Sequence, residues 1–198
     1  MLKIQLTSSL EAGIDEAGRG CLAGPVTAAV VILPLNAKFH FINDSKILTE
    51  KQRYKLRPII EKQAIEYQVA HVFQDEIDRI NILNASIRAM HLAIEKLEKK
   101  PEYIVIDGNK FYPYKKIPFK CIIKGDRKYQ NIAAASILAK TYRDDYMKMI
   151  GADFPKYKWE KNKGYPTADH KNAIENFGIS IHHRNSFKLL NRQLKIKI

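Results

Sequence analysis

The spacing of apolar positions changes along this 198-residue chain, and each change predicts an element. Residues 26–33 are almost wholly apolar and are bounded by Gly24-Pro25 and Pro34, the pattern of a strand buried on both faces. Before it, residues 12–15 read as a strand, and Gly18, Gly20 and Gly24 then predict a sharp reversal. Thr49-Glu50-Lys51-Gln52 has the form of a capping box and opens a helix to about Gln63. Residues 64–72 alternate well enough for a third strand. Between residues 81 and 99, Leu83, Ile87, Met90, Ile94 and Leu97 recur at steps of three and four, which predicts an amphipathic helix. Two short buried strands follow, at 103–106 ending on Asp107-Gly108 and at 119–123 ending near Gly125-Asp126. Residues 133–149 form a long helix whose first turns are small (Ala133, Ala134, Ala135, Ser136), so something must pack closely against it. Smaller helices are expected after Thr167 and after Asn185. Three hairpin-like strands followed by strand–helix alternation predict one α/β domain with a mixed sheet and helices on its faces. Residues 1–150 are assigned to that domain and 151–198 to a basic, helical C-terminal extension packed on it.

Charge adds to this picture. The formal net charge is +13, but residues 1–100 hold 14 Lys and Arg against 12 Asp and Glu, whereas residues 101–198 hold 20 against 9. A basic half on an otherwise balanced protein suggests a polyanionic partner, although a solubilising surface is an equal reading of charge alone. Aromatics among the lysines (Phe111-Tyr112-Pro113-Tyr114-Lys115-Lys116 and Tyr157-Lys158-Trp159) favour nucleic acid, because rings can stack on bases or sugars. Cys21 and Cys121 lack a CxxC partner, which predicts neither a disulfide framework nor a zinc site and points to a reduced, cytoplasmic setting. The N-terminal residues carry no apolar run of a signal peptide, and no stretch approaches the roughly 20 apolar residues of a membrane span.

Four acids fall at predicted strand ends or at a strand–helix turn: Asp15, Glu16, Asp107 and Asp126. Ligands of α/β sheets bind beyond the carboxyl ends of parallel strands. On a regular strand Asp15 and Glu16 would face opposite ways, so a shared site requires the chain to bend there. Converging carboxylates repel one another, and divalent cations resolve the conflict; oxygen-only ligation favours Mg²⁺ or Mn²⁺. Taken singly, Asp126 also suits a helix N-cap and Asp107-Gly108 a turn.

The run Gly13-Ile14-Asp15-Glu16-Ala17-Gly18-Arg19-Gly20, followed by Leu22-Ala23-Gly24-Pro25-Val26, resembles the signature of the ribonuclease HII family. The resemblance continues through Asn43-Asp44-Ser45-Lys46, Asn81-Ile82-Leu83-Asn84-Ala85, Val105-Ile106-Asp107-Gly108 and Lys124-Gly125-Asp126. It extends over the 133–140 run with Arg143-Asp144, then Gly164-Tyr165-Pro166-Thr167, His170 and His183-Arg184-Asn185-Ser186-Phe187. It implies a ribonuclease H-like fold with a five-stranded mixed sheet. It implies a metal site of Asp15, Glu16, Asp107 and Asp126 holding two divalent ions (Mg²⁺ or Mn²⁺) during catalysis. It also implies that Gly18, Arg19, Gly20 and Tyr165 read the junction between a ribonucleotide and a following deoxyribonucleotide, with Ser45 and Lys46 near phosphates. The implied partners are RNA–DNA hybrids and DNA containing ribonucleotides, cut by a monomer that leaves 5′-phosphate and 3′-hydroxyl ends. Arg19 stands where the related ribonuclease HIII family has lysine. The chain departs from the family's pattern at Ile47, where a second lysine is common, and at Thr141-Tyr142, where a Val-Thr pair is usual.

Two other classes compete. A metal-independent ribonuclease would use a histidine pair as acid and base, and six histidines are present; His183 lies in the family's C-terminal pattern, where packing or capping is the expected role. A silent nucleic-acid-binding module would gain nothing from four acids that weaken phosphate binding. Chelator-sensitive cleavage and the chemistry of the product ends separate the three.

Overall fold

The computed structural model describes residues 2–36 and 48–190. Five strands, β1 (Glu11–Ala17), β2 (Val26–Ile32), β3 (Glu66–Val72), β4 (Tyr103–Asp107) and β5 (Phe119–Ile122), form one mixed sheet in the order β3-β2-β1-β4-β5. The hairpin pairs β1–β2 and β2–β3 are antiparallel, while β1–β4 and β4–β5 are parallel. The helices are α1 (Glu50–Gln63), α2 (Gln74–Glu95), α3 (Gln130–Asp153), the single turn α4 (Trp159–Asn162) and α5 (Ala168–Phe177).

The unbroken apolar run of β2 has a plain cause: both faces are covered. Ala28, Val30 and Ile32 join Ile14, Ile104 and the α2 residues Ile87, Met90 and Ile94 in one core. Ala29 and Val31 face the other way, against Leu56 and Ile60 of α1 and Ala134, Ile137 and Leu138 of α3. The small residues Ala133, Ala134 and Ala135 of α3 pack with Ala17, Ala29 and Val31, and the α3 main chain at Asn131 and Ile132 meets Gly13 of β1, where an added Cβ would lie 2.4 Å from the Asn131 carbonyl carbon. That close approach sets α3 directly against the central strand.

The Thr49 capping box is present, with Gln52 N–H donating to Thr49 Oγ1 and Thr49 N–H to Gln52 Oε1. Helix α2 begins earlier than its apolar spacing suggests. Asn81, at φ 66° and ψ 164°, kinks it, and the Asn81 carboxamide oxygen accepts from the Leu83 and Asn84 amides. The predicted start at residue 81 is thus the capped start of the second segment. Thr167 caps α5 as expected. Among the described residues, which end at 190, no helix follows Asn185; the amides of Asn185 and Ser186 donate to the Asp78 carboxylate on α2, which ties this segment to that helix.

A third core lies beneath residues 154–190. Leu22 and Ala23 from the β1–β2 loop and Met147 and Ile150 from α3 pack with Tyr157, Trp159 and Ile174. Helix α3 runs three residues past 150 into this region, and the glycine-rich loop is shared between the sheet and the C-terminal part.

Candidate active site

Parallel strands β1 and β4 place Asp15 and Asp107 side by side near their carboxyl ends, and the short turn after β5 (Gly125–Arg127) adds Asp126. The Asp107 carboxylate accepts from Gly125 N–H at 2.7 Å, which ties the turn to the end of β4. One carboxylate oxygen from each of Asp15, Asp107 and Asp126 lies within 4.8 Å of the others. Asp15 and Asp126 are buried. Strand β1 continues through both acids, and Glu16 N–H folds back onto Asp15 Oδ1 at 2.7 Å. Glu16 stands outside this triangle of oxygens but lines the same cleft as Asp15 and Asp107, and Arg19 donates to it at 3.1 Å.

Burial pushes the Asp15 carboxyl well above the usual carboxylate range, and the charges of Glu16 and Asp107 push it further; a hydrogen bond from Ser136 opposes them. Such a cluster is costly when fully ionised and is relieved by a cation. All the donors are hard carboxylate oxygens, which suits Mg²⁺ or Mn²⁺ rather than zinc or copper.

The cleft is completed by Ala17, Gly18, Arg53, Ser136, Lys140 and Tyr165. Ser136 and Lys140 sit one turn apart on α3; neither was singled out for the site from the sequence, although their four-residue spacing puts them on one helix face, and nothing in the sequence pointed to Arg53. Lys140 pairs with the buried Asp144 at 2.6 Å, and its ammonium lies 5.2 Å from the Tyr165 ring. Tyr165 is 36% exposed, and desolvation pushes its phenol up to about 12, so the hydroxyl stays protonated. Arg19 extends at the rim, half exposed. Gly18 has φ +91°, and an added Cβ would fall 2.0 Å from Arg143 Nε, whereas nothing lies within 4 Å of one built at Gly20. Ser45, Lys46 and Ile47 lie outside the described residues.

At the Thr141-Tyr142 departure, both side chains turn away from the cleft. Thr141 donates to the Ile137 carbonyl, while the Tyr142 hydroxyl donates to Glu61 and its ring lies under Arg57. Among the described residues no histidine lines the cleft with the acids: His170 and His183 are buried against Tyr157 and Trp159, and burial lowers both. Lacking access to solvent, they do not suit an acid–base pair for a polymeric substrate.

With this geometry in place, relatives are informative. The family model described as Ribonuclease HII matches residues 12–190. The chain belongs to the ribonuclease HII family. A ribonuclease HII of Christiangramia forsetii is 61% identical over 196 residues, 99% of each chain. The ribonuclease H2 of Pyrococcus horikoshii superposes with TM-score 0.75 at 26% identity, covering 90% of this chain and 94% of that one. The Archaeoglobus fulgidus ribonuclease HII, solved in complex with PCNA, gives TM-score 0.77 at 25% identity over 93% and 98%. The protein is a metal-dependent endoribonuclease with the ribonuclease H-like fold. Among the described residues, no helix is long and apolar enough to cross a membrane.

Proposed function

We propose that the chain hydrolyses the RNA strand of RNA–DNA hybrids and also cuts at single ribonucleotides embedded in duplex DNA. The observation that carries this reading is the convergence of Asp15, Asp107 and the buried Asp126 at a cleft that Asp15, Asp107, Gly18 and Tyr165 line. Asp15, Glu16, Asp107 and Asp126 would hold two divalent cations, Mg²⁺ or Mn²⁺. When bound, these ions supply activation of the attacking water and stabilisation of the leaving oxygen, giving 5′-phosphate and 3′-hydroxyl ends.

The chain's own residues do the rest. Lys140 and Arg53 make the cleft attractive to a backbone phosphate despite its acids, and Ser45 and Lys46 are proposed as further phosphate contacts. Gly18 and Gly20 let main chain approach a 2′-hydroxyl closely, which is the group that distinguishes RNA from DNA. Arg19, whose side chain is half exposed, can turn from Glu16 to hold a flanking phosphate. The partly exposed ring of Tyr165 suits a deoxyribose and disfavours a sugar bearing a 2′-hydroxyl. The two free cysteines fit a reducing cytoplasm.

The test compares Tyr165→Ala with the parent on a DNA duplex carrying one ribonucleotide and on a long hybrid, with and without Mg²⁺. A ring stacked on the sugar is worth roughly 1–3 kcal/mol, so cutting at the single ribonucleotide should fall about ten- to a hundredfold. The hybrid, in which no deoxyribose follows the cut, should lose less. Equal losses on both substrates would make the ring a general positioning element and defeat the junction reading.

A further inference from the structure

The two reading elements, the 18–20 loop and Tyr165, are distant in sequence, and the C-terminal part touches both through adjacent residues. We infer that His183 and Arg184 are positioning residues that fix the loop and the Tyr165 turn relative to each other; this rests on the junction reading proposed above.

Arg184 is fully buried, and its side chain donates to two main-chain carbonyls, Gly24 O and Arg19 O, each at 3.0 Å. Its amide donates to Leu22 O, and His183 pairs with Ala23 in an antiparallel bridge. In a trans peptide the C=O and N–H point opposite ways. Drawing the Arg19 carbonyl inward therefore turns the Gly20 N–H outward, to the side from which a nucleic acid arrives. An arginine suits this task because its planar fork spans two acceptors at fixed separation, which a lysine cannot do.

His183 reaches the other element through His170. Trp159 Nε1–H is a donor only and lies 3.0 Å from His170 Nε2, so that nitrogen is the acceptor. His170 Nδ1 then carries the proton and donates to the Tyr165 carbonyl at 3.0 Å. Ser180 N–H donates to His183 Nδ1 at 2.9 Å, which leaves the His183 proton on Nε2, 3.2 Å from His170 Nε2, where it shares that nitrogen's single lone pair with Trp159. Every proton in this chain is assigned by a neighbour that can only donate, and the chain ends on the main chain of Tyr165. A packing role alone would not require the polar atoms to line up in this order. Lowering of both histidines by burial agrees with the neutral tautomers.

The experiment measures the ratio of cleavage rates, single ribonucleotide in DNA over long hybrid, for His183→Asn, Arg184→Lys and each combined with Tyr165→Ala. His183→Asn keeps an acceptor for Ser180 but loses reach to His170; Arg184→Lys keeps charge but holds one carbonyl. Each single variant should lower the ratio about tenfold, the scale of one positioning hydrogen bond. In the Tyr165→Ala background His183→Asn should change nothing further, because it acts through that residue, while Arg184→Lys should still lower the ratio. Should His183→Asn lose its thermal transition, His183→Gln carries the test: its amide can donate to His170, and the ratio should return to the parent value. The inference is overturned if the variants slow both substrates equally, if His183→Asn multiplies with Tyr165→Ala, or if His183→Gln behaves like Tyr165→Ala. Tyr165→Ala alone reports on the junction reading; its selective loss with no effect of the His183 and Arg184 variants defeats only the inference made here.

Discussion

Replacing Asp107 by asparagine should abolish cleavage and yet stabilise the metal-free protein. The side chain keeps its volume, and its oxygen can still accept from Gly125 N–H at 2.7 Å. What disappears is one negative charge from a cluster whose oxygens lie within 4.8 Å of one another. At an effective dielectric constant of about 20, two full charges at that separation repel by roughly 3 kcal/mol. The Asp15 carboxyl already escapes part of this by being held well above its ordinary range, with Asp107 one of the causes. The realised gain is therefore smaller, about 1–2 kcal/mol, or a rise of roughly 2–8 °C in Tm for a chain of this size. Thermal melts in chelator would show it. In millimolar Mg²⁺ the parent should gain Tm by ligand linkage and the variant should gain much less, so the two curves converge or cross. Turnover should fall at least about a thousandfold, equivalent to about 4 kcal/mol of lost transition-state stabilisation. Near-normal turnover would remove Asp107 from the metal site. An unchanged or lower Tm in chelator would refute the electrostatic argument even if activity were lost.

Further outcomes follow from other parts of the structure. Gly18→Ala, strained at φ +91° and driven onto the Arg143 side chain, should lose about 1–3 kcal/mol in a denaturant titration; Gly20→Ala, with open space around it, should melt like the parent and yet cut more slowly. Duplex affinity should fall with salt at a slope of roughly −0.9 per phosphate neutralised, and a flat response would exclude a phosphate-tracking basic half. Burial holds His71 and His183 at about 4 in the folded chain, below the unfolded 6.5. The unfolded chain thus binds protons that the folded one refuses, and stability present above about pH 6.5 should be lost as the pH falls toward 4. Urea midpoints in an Asp15→Asn background, which removes the opposite contribution of Asp15, should decline over that window; a level profile would mean the two rings titrate freely.

Much of this architecture could be read from residue patterns because it rests on local rules. The two-sided burial of β2, the capping box at Thr49 and the small residues in the first turns of α3 each left a mark in the spacing of apolar or polar side chains. The four acids were legible as strand-end residues, but their separations depend on β1 and β4 being parallel neighbours and on the Asp107–Gly125 hydrogen bond, which no local pattern encodes. The start of α2 at Gln74 was hidden because Phe73 caps it without a side-chain hydrogen bond. The course of the chain at Asn185 and Ser186 is set by a tertiary contact, since Asp78, more than a hundred residues away, holds both amides. Arg53 enters the cleft only because α1 packs beside α3, and the His170–Trp159 pairing likewise arises from packing.

The central claim, that one carboxylate centre acts on ribonucleotides in a nucleic-acid duplex through bound metal, is tested most directly with a DNA duplex carrying one ribonucleotide. It is incubated with and without Mg²⁺, and the cut position and end groups are mapped. The account predicts no cleavage in chelator and, with Mg²⁺, a single incision at the ribonucleotide leaving 3′-hydroxyl and 5′-phosphate ends. Cleavage that persists in chelator, or a 2′,3′-cyclic phosphate at the cut, would contradict it.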